Sequence, residues 1–208
     1  MHLEALKSAC APEHGDGWLS TGDAVTAMLW RSLTRARQRA GIPAGNSAVL
    51  AIAVDGRARE PDGRMTGGQY FGNFNVGVVA TPAADDLVCG DLRAAAQLVR
   101  GAVVTQTTAA HIVAKVALLE GIWPVERIMP TFDVMMTNWT KFALTGPEMD
   151  FGWGSPLAAT HGEASRPAGS LTVLQVEEGQ KLIIEIEVEA ADLFKKDEDV
   201  LKYSELIV

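Results

Sequence analysis

The stretch Ser20–Gly41, STGDAVTAMLWRSLTRARQRAG, decides more of the fold than any other part of this chain. Ser20 is suited to cap the amino end of a helix, and Asp23, three residues later, can complete a capping box. Gly41 is placed to end the helix. Between them, apolar residues recur at helical spacing: Val25, Met28, Leu29, Leu33 and Ala36. The stretch predicts a long helix with one buried face.

The other side of this helix carries arginines at four-residue intervals, Arg31, Arg35 and Arg39. Such a stripe is typical of the solvated face of an amphipathic helix, and we expect these side chains to lie in water. Binding of a phosphate is the alternative interpretation.

Apolar runs that follow this helix in the sequence predict strands. AVLAIAV at 48–54 is continuous and fits a strand covered on both faces, and FNVGVVA at 74–80 predicts a second strand. FDVMMTNW at 132–139 and TKFAL at 140–144 have strand lengths, while SLTVLQV and KLIIEIEVE flank EEGQ as an antiparallel hairpin.

Helical patterns fill much of the remaining chain. Short helices are expected over Leu3–Ser8 and Ala190–Tyr203, and longer ones over Asp91–Thr105 and Thr108–Glu120. In the last of these, the inward positions are Ile112, Val113, Val116 and Leu119. Strands and helices interleave without a strict βαβ rhythm, so we expect a single domain over 1–208 of α/β (α+β) class, a mixed sheet with helices packed on it.

Composition excludes several classes of function. With 208 residues, 48% of them hydrophobic, the chain can bury a core. A net charge of −8 without a basic block argues against nucleic acid, and the absence of an apolar run near 20 residues argues against a membrane span. Cys10 and Cys89 fit no metal spacing, so we expect no metal, reduced thiols and a cytoplasmic protein.

Familiar catalytic patterns are missing from the sequence. Neither a glycine-rich phosphate loop nor a G-x-S-x-G elbow occurs. The histidines, which would supply a general base, have no acid, nucleophile or metal ligand at a suitable spacing: His2, His14, His111 and His161. The residues alone indicate no complete catalytic site.

MDFGWGSP at 149–156 is the most unusual segment. Glycines on both sides of Trp153 allow a tight turn in which the indole folds back onto the body of the protein. Asp150 is then available to pair with a buried cation. Two arginines leave a buried strand at a turn, so we predict an ion pair between Arg57 and Asp150, with Arg59 as second choice.

Four motifs together resemble the carboxy-terminal half of the BAHD superfamily of acyl-CoA-dependent acyltransferases. They are DGRAR at 55–59, YFGN at 70–73, TNW at 137–139 and DFGWG at 150–154. The long helix resembles the one that opens that half, and SLTVLQVEEGQKLIIEIEVEAADLFKKDED is similar to its final hairpin and helix. The resemblance covers nearly the whole chain, from about Leu3 to Tyr203.

The resemblance implies two similar α/β halves with a solvent channel between them. It also implies a histidine base within an H-x-x-x-D motif in the amino-terminal half. Here the residues four positions after the histidines are Leu6, Trp18, Lys115 and Ser165, so the motif is absent. The chain therefore resembles half of an enzyme, and we expect it to be inactive or nearly so by itself, because the general base typically contributes about two to four orders of magnitude in rate.

The resemblance also assigns structural roles. It implies that the DFGWG residues, Asp150, Phe151, Gly152, Trp153 and Gly154, shape the CoA side of the channel at a distance from the reacting atoms. Arg57 matches the arginine that pairs with the aspartate of this motif.

Further residues are implied to face the substrates. Thr137 and Trp139 match channel positions, where a hydroxyl and an indole N–H can donate to the oxyanion of the tetrahedral intermediate. An ordinary core position is the alternative for Trp139. Lys7 and Ser20 lie near where the family meets the CoA phosphates and pantetheine. No permanently bound cofactor is expected, and acyl-CoA is the co-substrate.

The implied partners are acyl-CoA, a small-molecule acceptor with a hydroxyl or amine, and a missing amino-terminal half or a second copy of the chain. A role in secondary metabolism would follow. One departure from the family is EPDGRMTGGQ, which replaces a proline-rich run at 60–69. Two alternatives remain open: a non-catalytic acyl-CoA-binding or protein-interaction module that retains the fold, and a small complete enzyme using His14 or His161.

Overall fold

The computed structural model describes residues 2–12, 17–43, 45–59, 71–122, 131–160, 166–177 and 179–205. In chain order, the helices are α1 (Leu3–Cys10), α2 (Thr21–Arg39), α3 (Ala84–Cys89), α4 (Leu92–Gln106), α5 (Ala109–Glu120), α6 (Val188–Lys195) and α7 (Glu198–Tyr203). The strands are β1 (Leu50–Asp55), β2 (Asn75–Ala80), β3 (Val134–Asn138), β4 (Ser170–Val176) and β5 (Gly179–Ile184).

The strands form a single mixed sheet in the order β2-β1-β3-β4-β5. Strands β1, β3 and β4 run parallel, and an antiparallel strand is added at each edge. The hairpin of β4 and β5 is confirmed. The mixed α/β fold predicted from the sequence is therefore correct, although TKFAL forms turns and the final helical segment is divided into α6 and α7.

Helix α2 is the centre of the fold. Ser20 caps it with the full capping box to Asp23, as predicted, and Gly41 follows its end with a φ of +69°. Fourteen of its nineteen residues are buried, so it is enclosed on nearly every side rather than on one apolar face. It packs against α1, α4 and α6 and covers one face of the sheet.

The arginine stripe on α2 is not the solvated face that its spacing predicted. Arg35 is buried and lies 3.1 Å from the buried carboxylate of Asp197. Arg31 pairs with Asp199, while Arg39 alone of the three is exposed. The carboxylates come from α7 and the residue before it, so charges far apart in sequence neutralise one another in the interior.

A second buried arginine of α2 fastens the sheet to the start of α6. Arg37 donates from Nε and Nη2 to the two carboxylate oxygens of Glu187, at 2.9 and 2.8 Å, and from Nη1 to the carbonyl of Asp133. The Asp133 carboxylate accepts from the backbone N–H of Val49 at 2.7 Å. This bidentate geometry fixes α2, β1 and α6 relative to one another.

The two faces of the sheet differ. On one face, Leu50, Met136 and Leu171 are buried against the helices. The opposite face, which we call the open face, includes a row of residues paired from strand to strand: Gly77, Ala53, Thr137, Thr172 and Ile183. Ala53 is exposed in the interior strand β1, so this strand is not covered on both faces as AVLAIAV predicted.

The edge of the sheet at β2 is closed by side chains. The Gln106 amide accepts from the Val79 N–H at 3.0 Å and donates to the Val79 carbonyl at 2.6 Å. Lys115 donates to the carbonyl of Gly77, and burial lowers the pKa of its ammonium group. These contacts occupy ladder positions that could otherwise pair with another strand.

Helix α5 buries fewer of its apolar side chains than its sequence pattern predicts. Ile112 is buried, but Val113, Val116 and Leu119 are exposed, contrary to the prediction.

Within the described residues no single helix is long and apolar enough to cross a membrane. Helices α4 and α5 taken together meet that criterion by length and composition, but they are bent by 71° relative to each other.

Gly169 should tolerate no side chain. Its φ is +95°, and a Cβ would lie 2.0 Å from the Asp133 carbonyl and 3.0 Å from Nη2 of Arg37. We expect Gly169→Ala to lower the free energy of unfolding by about 2 kcal/mol or more, measured by urea denaturation.

Gly101 provides the matched control, because it lies in α4 with nothing near its Cβ position. Gly101→Ala should raise stability by about 0.5–1 kcal/mol through helix propensity. Equal effects of the two substitutions would contradict the proposed steric role of Gly169.

Glu187 should contribute to acid sensitivity. Burial acts to raise the pKa of its carboxyl, but the hydrogen bonds from Arg37 hold that pKa below its usual value. Its contribution is therefore present above the ordinary glutamate pKa of about 4.3 and is lost as pH falls through the folded-state value. Glu187→Gln should be less stable than wild type at pH 7 and lose less stability between pH 7 and 3. The exposed Glu189→Gln should follow wild type in the same chemical-denaturation series.

Candidate functional site

The candidate site lies at the carboxyl end of β3, on the open face. Thr137 is the penultimate residue of this strand, and Trp139 follows two positions later with its backbone N–H donating to the Val173 carbonyl of β4. Both side chains are half-buried. The alternation of a strand places them on the same side of the sheet, beside the exposed Ala53.

Thr137 and Trp139 are joined by a hydrogen bond. The indole Nε1–H donates to the Thr137 hydroxyl oxygen at 3.0 Å. Because that oxygen accepts from the indole, the Thr137 O–H proton is directed elsewhere and can be donated to a third group. The resemblance implied that the hydroxyl and the indole N–H both donate to an oxyanion. In the observed geometry the indole instead donates to the hydroxyl and fixes its position.

Asp150 organises the turn that contains the two glycines. One oxygen of its exposed carboxylate accepts from the backbone N–H groups of Gly152, Trp153 and Gly154, at 2.7, 3.1 and 2.9 Å. The hydrogen bonds, led by the one from Gly152, hold the pKa of this carboxyl below its usual value. The glycines have φ values of +106° and +97°, a region in which other residues are strained.

The predicted ion pair between Arg57 and Asp150 does not form between these two described residues. Arg57 instead donates to the Asp55 carboxylate at 2.9 Å and to the Gly72 carbonyl. Arg59, the second choice, donates to the Thr107 hydroxyl. The prediction was wrong because three backbone N–H groups satisfy the Asp150 carboxylate within its own turn.

The aromatic residues of the turn are exposed. Trp153 is 93% exposed and Phe151 is 76% exposed, so the indole does not fold back onto the body as predicted. Leu157 and Phe142 are also exposed. The turn thus holds its backbone shape without burying its apolar side chains against the described chain.

Ser20 and Lys7 lie on the helical side of the sheet. The Ser20 hydroxyl donates to the Asp23 carboxylate at 2.8 Å and accepts from the Asp23 N–H at 3.1 Å, so its observed role is the capping of α2. Lys7 is half-buried in α1. A Cβ on Gly22, in the first turn of α2, would lie 3.3 Å from the Asn138 amide, so this helix start is at the same end of the sheet as Thr137.

Arg166 is a polar residue of the open face that we did not predict. Its Nη1 donates at 3.1 Å to the hydroxyl of Thr172, which is 1% exposed and pairs in register with Thr137. The alternation of SLTVLQV could have indicated that Ser170 and Thr172 share a face. Nothing in the sequence indicated that an arginine outside the strand would contact Thr172.

The histidines remain without an assigned chemical role. His2 is exposed and lies 4.0 Å from Glu205, and His111 is half-buried on α5. His14 and His161, the bases of a small complete enzyme, lie outside the described residues. Among the residues that the structure describes, no cluster of three or more His, Cys, Asp or Glu side chains could hold a metal ion.

Residues 2–201 match the model of a protein family described as the Transferase family. The chain is 40% identical over 101 residues to agmatine coumaroyltransferase-1 of Hordeum vulgare, covering 47% of this chain and 20% of that protein. It is 31% identical over 162 residues to anthranilate N-benzoyltransferase protein 1 of Dianthus caryophyllus, covering 74% and 35%.

A solved structure has the same fold. TRI101 of F. sporotrichioides, crystallised with coenzyme A and T-2, superposes with a TM-score of 0.81 at 21% identity, covering 97% of this chain and 48% of that one. The chain thus spans about half the length of this structure and about a third or less of the two relatives.

The Asp150 turn can be tested without an activity assay. Asp150→Ala removes the shared acceptor, so the amides of Gly152, Trp153 and Gly154 should exchange with deuterium about five- to tenfold faster. Asp150→Asn keeps a side-chain oxygen and should retain much of the protection. Because the carboxyl is exposed, global stability should change little. Unchanged amide exchange in Asp150→Ala would show that the glycines alone form the turn.

Proposed function

The chain belongs to the Transferase family, and we propose that it acts as the carboxy-terminal part of an acyltransferase that moves an acyl group from acyl-CoA to a hydroxyl or amine. The general base would come from outside this chain, since H-x-x-x-D is absent from its sequence. By itself the chain would be inactive or nearly so.

The open face of the sheet is the observation that carries this proposal. Parallel strands are almost always covered on both faces, yet Ala53 in β1 is exposed. TRI101, which shares the fold, is about twice as long as the stretch that this chain covers. A second α/β unit docked on the open face would supply the missing cover and enclose Thr137 and Trp139 in a channel.

Thr137 is suited to the chemistry of acyl transfer. Attack of the acceptor on the thioester carbonyl places negative charge on the carbonyl oxygen, and a fixed O–H donor stabilises that charge in the transition state. The indole of Trp139 holds the hydroxyl oxygen and leaves its proton for the substrate. Thr137 would thus be the donor and Trp139 its positioning residue.

Support for acyl-CoA as co-substrate comes from the relatives. TRI101 is described as complexed with coenzyme A, and the two curated relatives are named as a coumaroyl- and a benzoyltransferase. Lys7 and Ser20 remain proposed contacts to CoA. Residues 150–154 remain proposed to shape the CoA side of the channel. A second copy of the chain is the alternative occupant of the open face.

A non-catalytic acyl-CoA-binding or protein-interaction module is the second candidate, because the family's base is absent while the fold is retained. It differs from the first in one measurable respect. Such a module binds acyl-CoA tightly and never turns it over, whether or not a second polypeptide is present.

Complementation separates the two candidates. With benzoyl-CoA and an amine acceptor such as anthranilate, we expect the chain alone to release no CoA in a thiol assay. When an amino-terminal polypeptide that carries H-x-x-x-D is added, the benzoyl group should pass to the amine and CoA should leave as the free thiol. In the active mixture, Thr137→Val should lower kcat about a hundredfold, the usual effect of losing one oxyanion donor.

Thr105→Val is the control, since this hydroxyl lies on the exposed surface of α4. A well-folded complex that consumes no acyl-CoA would refute the catalytic proposal. Equal activity of Thr137→Val and Thr105→Val would remove Thr137 from the mechanism.

A further inference from the structure

We propose that the guanidinium of Arg166 binds a carboxylate carried by one of the two substrates, an inference that rests on the proposed function. It assigns the site a preference for an anionic substrate, which neither Thr137 nor Trp139 provides.

The position of Arg166 supports this assignment. Its guanidinium lies 3.1 Å from the Thr172 hydroxyl, and Thr172 is the register partner of Thr137 on the neighbouring strand. Neighbouring strands are about 4.8 Å apart, and paired side chains share a face. The cation is therefore beside the proposed oxyanion donor, at the distance of a substituent on the same small molecule.

The charge of Arg166 lacks an internal counterion in the part of the chain that the structure describes. No carboxylate there lies within 4.0 Å of its guanidinium, although the side chain is half-buried. By contrast, Arg37 contacts the Glu187 carboxylate, and Arg57 contacts that of Asp55. Among the described residues, Arg166 contacts the neutral hydroxyl of Thr172, and a guanidinium has five N–H donors, which leaves others for a ligand.

A substrate carboxylate matches these donors. A guanidinium binds a planar carboxylate through two parallel hydrogen bonds, and partial burial strengthens that interaction. The two curated relatives are named for acceptors of opposite charge, the cation agmatine and the anion anthranilate. A cation at this position favours the anionic type and repels the cationic one.

The carboxylate can come from either substrate, and two matched pairs of probes distinguish the sources. Anthranilate against methyl anthranilate tests the acceptor, because the ester keeps the amine and removes the charge. Succinyl-CoA against butyryl-CoA tests the acyl group. The acceptor pair is measured without CoA, so that its result is obtained even if CoA does not bind.

Binding of each probe is measured by calorimetry on the full chain, with the Arg166 Nε–H resonance followed by NMR. Wild type should bind one carboxylate probe about tenfold more tightly than its neutral partner. Arg166→Gln should abolish that ratio, and Arg166→Lys should retain part of it. Arg39→Gln removes an equal charge from an exposed position and should leave the ratio unchanged.

These binding experiments distinguish failure of the Arg166 assignment from failure of the proposed function. Ratios near one for both pairs in wild type, or a ratio that persists in a folded Arg166→Gln protein, would overturn the assignment. If coenzyme A itself fails to bind while anthranilate is still preferred in an Arg166-dependent way, the proposed function is wrong and the carboxylate site remains.

Discussion

Enclosure of α2 is the constraint on which the rest of the structure depends. A helix that is buried on nearly every side must satisfy its polar residues internally, because an isolated buried charge is expensive. The carboxylates of Glu187, Asp197 and Asp199 meet this requirement for Arg37, Arg35 and Arg31. The helix therefore fixes the positions of α6 and α7, and through Asp133 it also fixes the start of β3.

Local chemistry made part of the fold predictable from the sequence. The capping box of Ser20 and Asp23 is formed within one turn, and the hairpin of β4 and β5 follows from alternation and a short turn. The prediction that the arginine stripe lies in water was wrong for Arg35, because residue spacing shows which side chains share a helix face but not which elements cover that face. The partner of Arg35 is more than 160 residues away in the sequence. The apolar pattern of α5 was misinterpreted for the same reason. Here residues predicted to be buried, Val113, Val116 and Leu119, are exposed.

The candidate site was predicted in identity rather than in geometry. Resemblance to a family pointed to Thr137 and Trp139, but the hydrogen bond between them depends on two side-chain rotamers that sequence does not encode locally. Asp150 shows the competing effect: a carboxylate two residues before a glycine can satisfy itself on nearby N–H groups, which removes its need for a distant cation. The place of Arg166 in the site depends on strand register, which pairs Thr172 with Thr137, and sequence does not show that register.

The carboxylates that neutralise α2 also constrain the order of folding. Arg37 and its partner Glu187 are 150 residues apart, and Arg31 and Asp199 are 168 apart. During synthesis, the central helix emerges from the ribosome long before the residues that neutralise it. Native packing of the core must then wait for the last part of the chain, and contacts of such long separation are typical of slow folding.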